Sequence, residues 1–323
     1  MKRRLLLVLS AVTSISVATA TSAQNPALLD ATKLKLASAN VLVLDANANT
    51  PIYVKAADEV TPIASLTKLM TAMVTLDAKL PMDESIAVDM DDFDYLKGSS
   101  SRLRMGSALP RREMLRLALM ASENRAASSL GRHYPGGLPA FVAAMNAKAK
   151  ALGMTHTEFS DSTGLSAKNV STASDLALMV GAAAKYPLIR EFTTTQSHSV
   201  EIANTGQTVG FRNTNALVKD AGWDIQVSKT GFIREAGKCL VMMATISSRP
   251  VVIVLLDSLG RYTRISDAIR VKQWLETGDG ELVKTAKAAR FVPAAKAAAP
   301  RARTRVQGQF PPRLAQAGKA RGV

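Results

Sequence analysis

Strand-patterned segments sit at the two ends of this 323-residue sequence, and that spacing restricts the fold more than any other feature. Residues 41–44 (Val-Leu-Val-Leu) and 52–54 (Ile-Tyr-Val) flank an Asn- and Ala-rich turn at 47–50, which predicts a β-hairpin. Three more strand runs, 226–232, 239–246 and 251–257, come only near the end. Between them the pattern is helical. From Ala64, the residues Leu66, Leu69, Met70, Met73, Val74 and Leu76 recur at helix spacing, with Pro62 upstream as a start signal. This helix is apolar nearly all round and should be buried. Further helices are predicted over 112–120, 138–152 and 174–184, and a last one over 265–276 with Ile269 and Trp274 on its apolar side. Two strands early and three late predict an α+β fold: a five-stranded antiparallel sheet flanked by helices, with an inserted all-α lobe at about 80–202.

The ends of the chain differ from this body. Lys2, Arg3 and Arg4 precede an apolar stretch from Leu5 to about Val17 and small residues at Ala18, Ala20 and Ala23, the pattern of a secretory signal peptide over 1–23. An uncleaved anchor or a buried N-terminal helix is the other reading. Cleavage fits before Thr21 or before Gln24, and it implies a periplasmic protein. No later stretch reaches the roughly 18 apolar residues a membrane crossing requires. Cys239 is the only cysteine, so no intramolecular disulfide is available and residues 24–277 must fold on an ordinary core.

A net charge of +15 suggests nucleic acid until it is located. The signal carries +3, and ten more positive charges lie between Lys284 and Arg321 with no acid among them, which leaves +2 on the body. The basicity is therefore a property of the tail and says nothing of a nucleic-acid groove, and no nucleic-acid partner is expected. Residues 278–323, punctuated by Pro293, Pro300, Pro311 and Pro312, read as a disordered basic tail. Such a tail is attracted to anionic polymers, such as membrane head groups or wall carboxylates, or is simply solvated.

Three short motifs carry the chemistry: Ser65-Leu66-Thr67-Lys68, Ser122-Glu123-Asn124 and Lys229-Thr230-Gly231. Ser-x-x-Lys alone arises by chance roughly once in a chain of this length, and Ser65 and Lys68 taken singly also read as a helix cap and a surface lysine. Placement raises the signal. Lys68 lies one helical turn from Ser65 on the same face. A serine hydroxyl needs a neighbouring base to attack an amide. His133, His156 and His198 show neither a Ser-His-Asp context nor metal-ligand spacing, so lysine is the base on offer and no metal is expected. To act at pH 7 its pKa must fall about three units, on the order of 4–5 kcal/mol, through burial and a second nearby lysine, Lys229. Ser122 and Asn124, in a loop after the 112–120 helix, would relay a proton to the leaving amine and hold a substrate amide while steadying Lys68. Lys229 and Thr230 would bind a substrate carboxylate. Gly231 would let a ligand backbone approach and add as a strand, and the N–H groups of Ser65 and Phe232 would form an oxyanion hole.

At these residues the chain resembles the penicillin-recognising serine enzymes, over about 40–277. It is most similar to the D-alanyl-D-alanine endopeptidases of the penicillin-binding protein 7 type, through runs such as Leu117-Ala118-Leu119-Met120, Tyr134-Pro135-Gly136-Gly137 and Met145-Asn146-Ala147-Lys148-Ala149-Lys150. The resemblance implies a β-lactamase/transpeptidase-like fold, no cofactor, peptidoglycan stem peptides as substrate, and β-lactams as covalent inhibitors. It also implies Ser65 as nucleophile and Lys68 as base. Related carboxypeptidases carry a second, β-rich domain and an amphipathic anchor, whereas 47 residues follow Glu276 here, which favours the endopeptidase branch. The basic tail is not part of that pattern. D,D-carboxypeptidase action is the alternative. A class A-like β-lactamase is disfavoured because no Glu-x-x-Leu-Asn run lies between Asn124 and Lys229. A non-catalytic wall-binding protein is disfavoured because none of the motif residues is missing.

Overall fold

The computed structural model describes residues 29–202 and 205–281; the expected signal peptide and the basic tail beyond residue 281 lie outside them. In chain order come β1 (Ser38–Asp45) and β2 (Thr50–Lys55), joined as the predicted hairpin, and then β3 (Thr61–Pro62). A 3-10 turn at Ala64–Leu66 leads into α1 (Thr67–Asp77), followed by β4 (Ser85–Ala87) and β5 (Ala108–Pro110). Helices α2 (Arg111–Met120), α3 (Asn124–Arg132) and α4 (Gly137–Ala151) precede β6 (Val170–Ser171), α5 (Ala173–Ala183) and α6 (Pro187–Thr194). A second hairpin, β7 (Ser197–Ile202) and β8 (Gln207–Arg212), returns the chain to β9 (Asp224–Ile233), β10 (Gly237–Ile246), β11 (Arg249–Ser258) and α7 (Thr263–Thr277).

One antiparallel sheet in the order β2-β1-β11-β10-β9 gathers the two early and three late strands, as predicted. Its central strands are apolar on both faces, which is why their sequences read as continuous runs rather than as alternation. Val41, Val43, Leu240, Met242, Ile253 and Leu255 pack with Trp274, Val271 and Leu275 of α7 on one side. Leu42, Cys239, Val241, Val252, Val254 and Leu256 point the other way, into the larger core shared with α1 and α5. Each face obeys the period of two that a strand imposes. The edges differ. β2 carries Pro51 and a register shift against Val43/Leu44, and Lys55 turns its ammonium onto the Leu36 and Ser38 carbonyls. Among the described residues β9 has no strand beyond it.

The insert is mainly helical, with three short two-stranded sheets, β3-β6, β4-β5 and β7-β8. The β7-β8 hairpin went unseen in the sequence because His198, Glu201, Gln207 and Arg212 break its pattern and only Val200, Ile202 and Phe211 are buried. The sequence placed Asn124 in a loop, but it is the first residue of α3, whose apolar pattern is weak because its buried positions other than Leu130 are small: Ala126, Ala127, Ser129 and Gly131. Helix α6 is only eight residues long.

Candidate active site

The site begins at a strained turn. Ala64 has φ 49°, outside the usual region for a residue with a side chain, and it sets Ser65 at the mouth of α1. Two glycines make room for this turn. A Cβ on Gly164 would lie 2.0 Å from the Ala64 carbonyl oxygen, and one on Gly231 would lie 2.9 Å from that of Ile63. Gly164 also has φ +79°. The sequence assigned the space at Gly231 to an incoming ligand backbone; the chain that carries Ser65 also approaches it closely.

Lys68, on the first turn of α1, is fully buried. Its Nζ lies 2.8 Å from Ser65 Oγ, 2.8 Å from Asn124 Oδ1 and 2.6 Å from the Thr163 carbonyl oxygen. Burial pulls its pKa down to about 7, against Asp161, Glu123 and Asp94, whose charges favour the protonated amine. The three contacts fix what the neutral amine does. Asn124 Oδ1 and the Thr163 carbonyl can only accept, so they take the two N–H bonds that remain, and the lone pair is left for the Ser65 hydroxyl.

Each of those three acids is tethered to a loop that presents a site residue. Asp161 Oδ1 accepts from Thr163 N, Thr163 Oγ1 and Gly164 N, and its Oδ2 from Ser166 N and Asn169 Nδ2. The loop so formed is fastened to α1 through Thr71 Oγ1 on the Ser162 carbonyl, 2.7 Å. Asp94 accepts from the N–H groups of Leu96, Lys97 and Ser99. Burial raises its pKa, but these hydrogen bonds outweigh that and leave the carboxyl below its usual value. Ser99 Oγ in turn accepts from Asn124 Nδ2 at 2.8 Å, which fixes the amide with its oxygen toward Lys68. Glu123 caps α3 through Arg125 N.

Ser122 precedes α3 with φ 57°, a second strained non-glycine residue. Its Oγ accepts from Lys229 Nζ at 2.8 Å. Lys229 is also buried, and its pKa lies well below the ordinary lysine value through that burial, then through the charges of Lys68 and Arg264. The sequence expected Lys229 to depress Lys68. Burial is the main cause that lowers Lys68, and the repulsion between the two ammonium groups disfavours charging both at once. Thr230 Oγ1 meets Thr214 Oγ1 at 2.6 Å, and the exposed Phe232 ring lies 3.7 Å from the Lys238 ammonium.

Thus Ser65, Lys68 and Asn124 form one cluster, Ser122, Lys229 and Thr230 another, and Gly231 abuts the turn that carries Ser65. Sequence reasoning missed Thr163, Ser99, Thr214 and Arg264. The first acts through its backbone carbonyl, which carries no sequence signal. Arg264, on α7, has Nε and Nη1 buried without a hydrogen-bond partner beside this cationic strand. A buried arginine with free donors is a signal only a structure can give.

The pattern of residues 21–260 matches the D-alanyl-D-alanine carboxypeptidase family, peptidase S11. A D-alanyl-D-alanine endopeptidase of Pseudomonas aeruginosa is 50% identical over 279 residues, 86% of this chain and 90% of that one. One of Escherichia coli is 50% identical over 256 residues, 79% of this chain and 83% of that one. Among solved structures, the Streptomyces K15 DD-transpeptidase superposes with a TM-score of 0.70 at 28% identity, over 75% of this chain and 98% of that one. With the strained Ser65 turn, the buried lysines and the five-stranded sheet all in place, the chain belongs to the D-alanyl-D-alanine carboxypeptidase family, peptidase S11.

Proposed function

We propose that this chain is a serine D-alanyl-D-alanine endopeptidase that opens peptide cross-links of peptidoglycan through an acyl-enzyme on Ser65. The observation that carries this is the Lys68 amine, held near neutrality with its lone pair directed to the Ser65 hydroxyl. Lys68 takes the hydroxyl proton as Ser65 Oγ attacks the D-alanyl carbonyl. Charge develops on the carbonyl oxygen, where the N–H groups of Ser65 and Phe232 receive it, each such donor being worth about 2.7–4 kcal/mol. As the tetrahedral carbon collapses, the C–N bond breaks, Ser122, in contact with Lys229, gives its proton to the departing amine, and the proton that Lys68 took from Ser65 replaces it, which leaves Lys68 neutral for the next step. Water then hydrolyses the ester with Lys68 again as base.

The substrate lies along the open edge of β9, in the manner of an added strand. A carboxylate on the residue beyond the scissile bond meets Lys229, Thr230 and the unpaired donors of Arg264. That anion restores the charge which burial discourages on Lys229. β-Lactams acylate the same serine, but their amine stays tethered in the adduct where water must enter. Asp161 is committed to its own loop, so it activates no deacylating water and the adduct persists. This separates the reading from a β-lactamase.

Both relatives at 50% identity are endopeptidases by name, which supports cross-link cleavage over removal of terminal D-alanine. Fluorescent penicillin should label the purified protein, and Ser65→Ala should abolish the label. Incubated with a cross-linked muropeptide dimer, the enzyme should release monomers; free D-alanine as the main product would assign the carboxypeptidase alternative instead. The reading includes export to the periplasm with removal of residues 1–23, so N-terminal sequencing of the mature protein should find Thr21 or Gln24 first. It also includes contact of the basic tail with anionic membrane or wall polymers, to be checked by comparing sedimentation with anionic vesicles and with wall sacculi before and after deletion of residues 282–323. Among the described residues no helix is long and apolar enough to cross a membrane.

A further inference from the structure

A second concavity of about 330 Å³ opens beside the crevice, between the hairpin β7-β8 and the segment that precedes α3. Its lining includes Arg102, Ala121, Glu123, Phe211, Arg212 and Thr214. Two residues join it to the site already described. Ala121 directly precedes Ser122, and Thr214 Oγ1 receives the hydroxyl hydrogen of Thr230. The backbone of Thr214 is itself held at the end of α2 through the Met120 carbonyl, 3.1 Å.

The charge in this pocket is unspent. The Arg212 side chain is exposed, and its guanidinium has no hydrogen-bond or ion-pair partner among the described residues. Arg102 lies 5.6 Å from the Phe211 ring centre and gives one of its five N–H donors to the Gly210 carbonyl. Glu123, the acid in the lining, is committed to Ser101 Oγ and Arg125 N. Two guanidinium groups with free donors therefore face an open pocket against a single buried acid, whose Oε1 is bound to Ser101 and Arg125, and this excess of cationic donors is the chemistry of a carboxylate subsite.

Its location assigns the carboxylate. Ser122 meets the departing amine, and Lys229 with Thr230 meets the carboxylate of the residue that carries that amine; the pocket begins beyond both. A terminal D-alanine ends there and leaves the pocket empty. In a cross-link the departing residue continues as the acceptor stem peptide, which bears further carboxylates. We propose that the Arg102–Arg212 pocket binds carboxylates of the acceptor stem and selects cross-links over free stem ends. This rests on the endopeptidase reading above and adds the residues that set its preference.

The test uses the full chain, with a cross-linked muropeptide dimer, a pentapeptide monomer and fluorescent penicillin as probes. Arg212→Glu combined with Arg102→Gln should lower kcat/KM for the dimer about tenfold or more, mainly through KM. The monomer and penicillin rates should stay within about twofold of the parent, and the unchanged acylation reports an intact fold. Arg212→Lys should recover part of the dimer activity. Equal losses on dimer and monomer, or a dimer rate unchanged by the double substitution, would overturn the pocket's role while leaving the catalytic reading intact. Failure of the unsubstituted chain to acquire the penicillin label would overturn both.

Discussion

Arg132, at the end of α3, lies 2.7 Å from Asp89 and 2.9 Å from Asp92, and with burial opposed by these acids its pKa is raised. Lys68, more deeply buried, has no carboxylate within salt-bridge reach; its acceptors are an amide oxygen, a backbone carbonyl and a hydroxyl. The same lobe therefore pairs one cation and withholds pairing from another. The difference lies in what the acids are doing. Asp89 and Asp92 are turned toward the arginine, whereas Asp94, Glu123 and Asp161 are turned into backbone N–H groups, close enough to be felt by Lys68 but unable to reach it. Lys68 is left without a carboxylate partner because the neighbouring acids are occupied in building loops.

The sharpest way to break this contrast is to replace the unpaired cation. Lys68→Met should slow penicillin acylation of Ser65 by about 10²–10⁴-fold, the range of a general base. The same variant should be more stable than the parent. Folded Lys68 binds its proton less readily than the unfolded lysine, so between about 7 and the ordinary lysine value the unfolded chain holds more protons and parent stability climbs with pH. The gain from Lys68→Met is thus largest below pH 7, on the order of 4–5 kcal/mol at most, and fades as pH rises above it. Denaturant titrations at pH 6 and pH 9.5 would show this, and an equal gain at both would refute the buried charge. In the parent, acylation should rise with pH through about 7 as the amine loses its proton.

A smaller effect comes from releasing one tethered acid. Asp161→Asn removes the charge that gathers the N–H groups of Thr163, Gly164 and Ser166, and should cost about 1–3 kcal/mol. It should also lower the acylation rate roughly tenfold as the Thr163 carbonyl loses its fixed place beside Lys68. The acid limb of the pH profile would report it, because an amine without that acceptor titrates at a different pH. Smallest in its effect on chemistry is Arg132→Met. It should destabilise by about 1–3 kcal/mol, since Asp92 is left buried without its partner, yet acylate at the parent rate. A loss of acylation there would mean that the two regions are not independent.

The five-stranded sheet and α1 were legible because apolar periodicity survives wherever both faces of an element are buried, as at Val251 to Leu256. The eight candidate site residues were legible because motif spacing on one helix turn and one strand fixes proximity, and the structure brings Ser65 and Asn124 within hydrogen-bond reach of Lys68. The β7-β8 hairpin was not, since an exposed ladder needs few apolar residues. Nor was the Thr163 carbonyl, whose position depends on an aspartate gathering N–H groups rather than on any side chain of its own. Gly231 was found for a partly different reason from the one that requires it: the sequence indicated a need for space, and the structure shows that the Ser65 turn occupies it.

The two rims of the sheet have unequal fates. On the β2 side a proline, a slipped register and a lysine folded back over neighbouring carbonyls blunt the ladder, while on the β9 side it stands receptive. A guest strand can therefore dock at one rim only, and a second molecule offering its own β2 finds little to continue. With one rim blunted, copies of the chain have no second rim through which strand addition could propagate into a growing fibre.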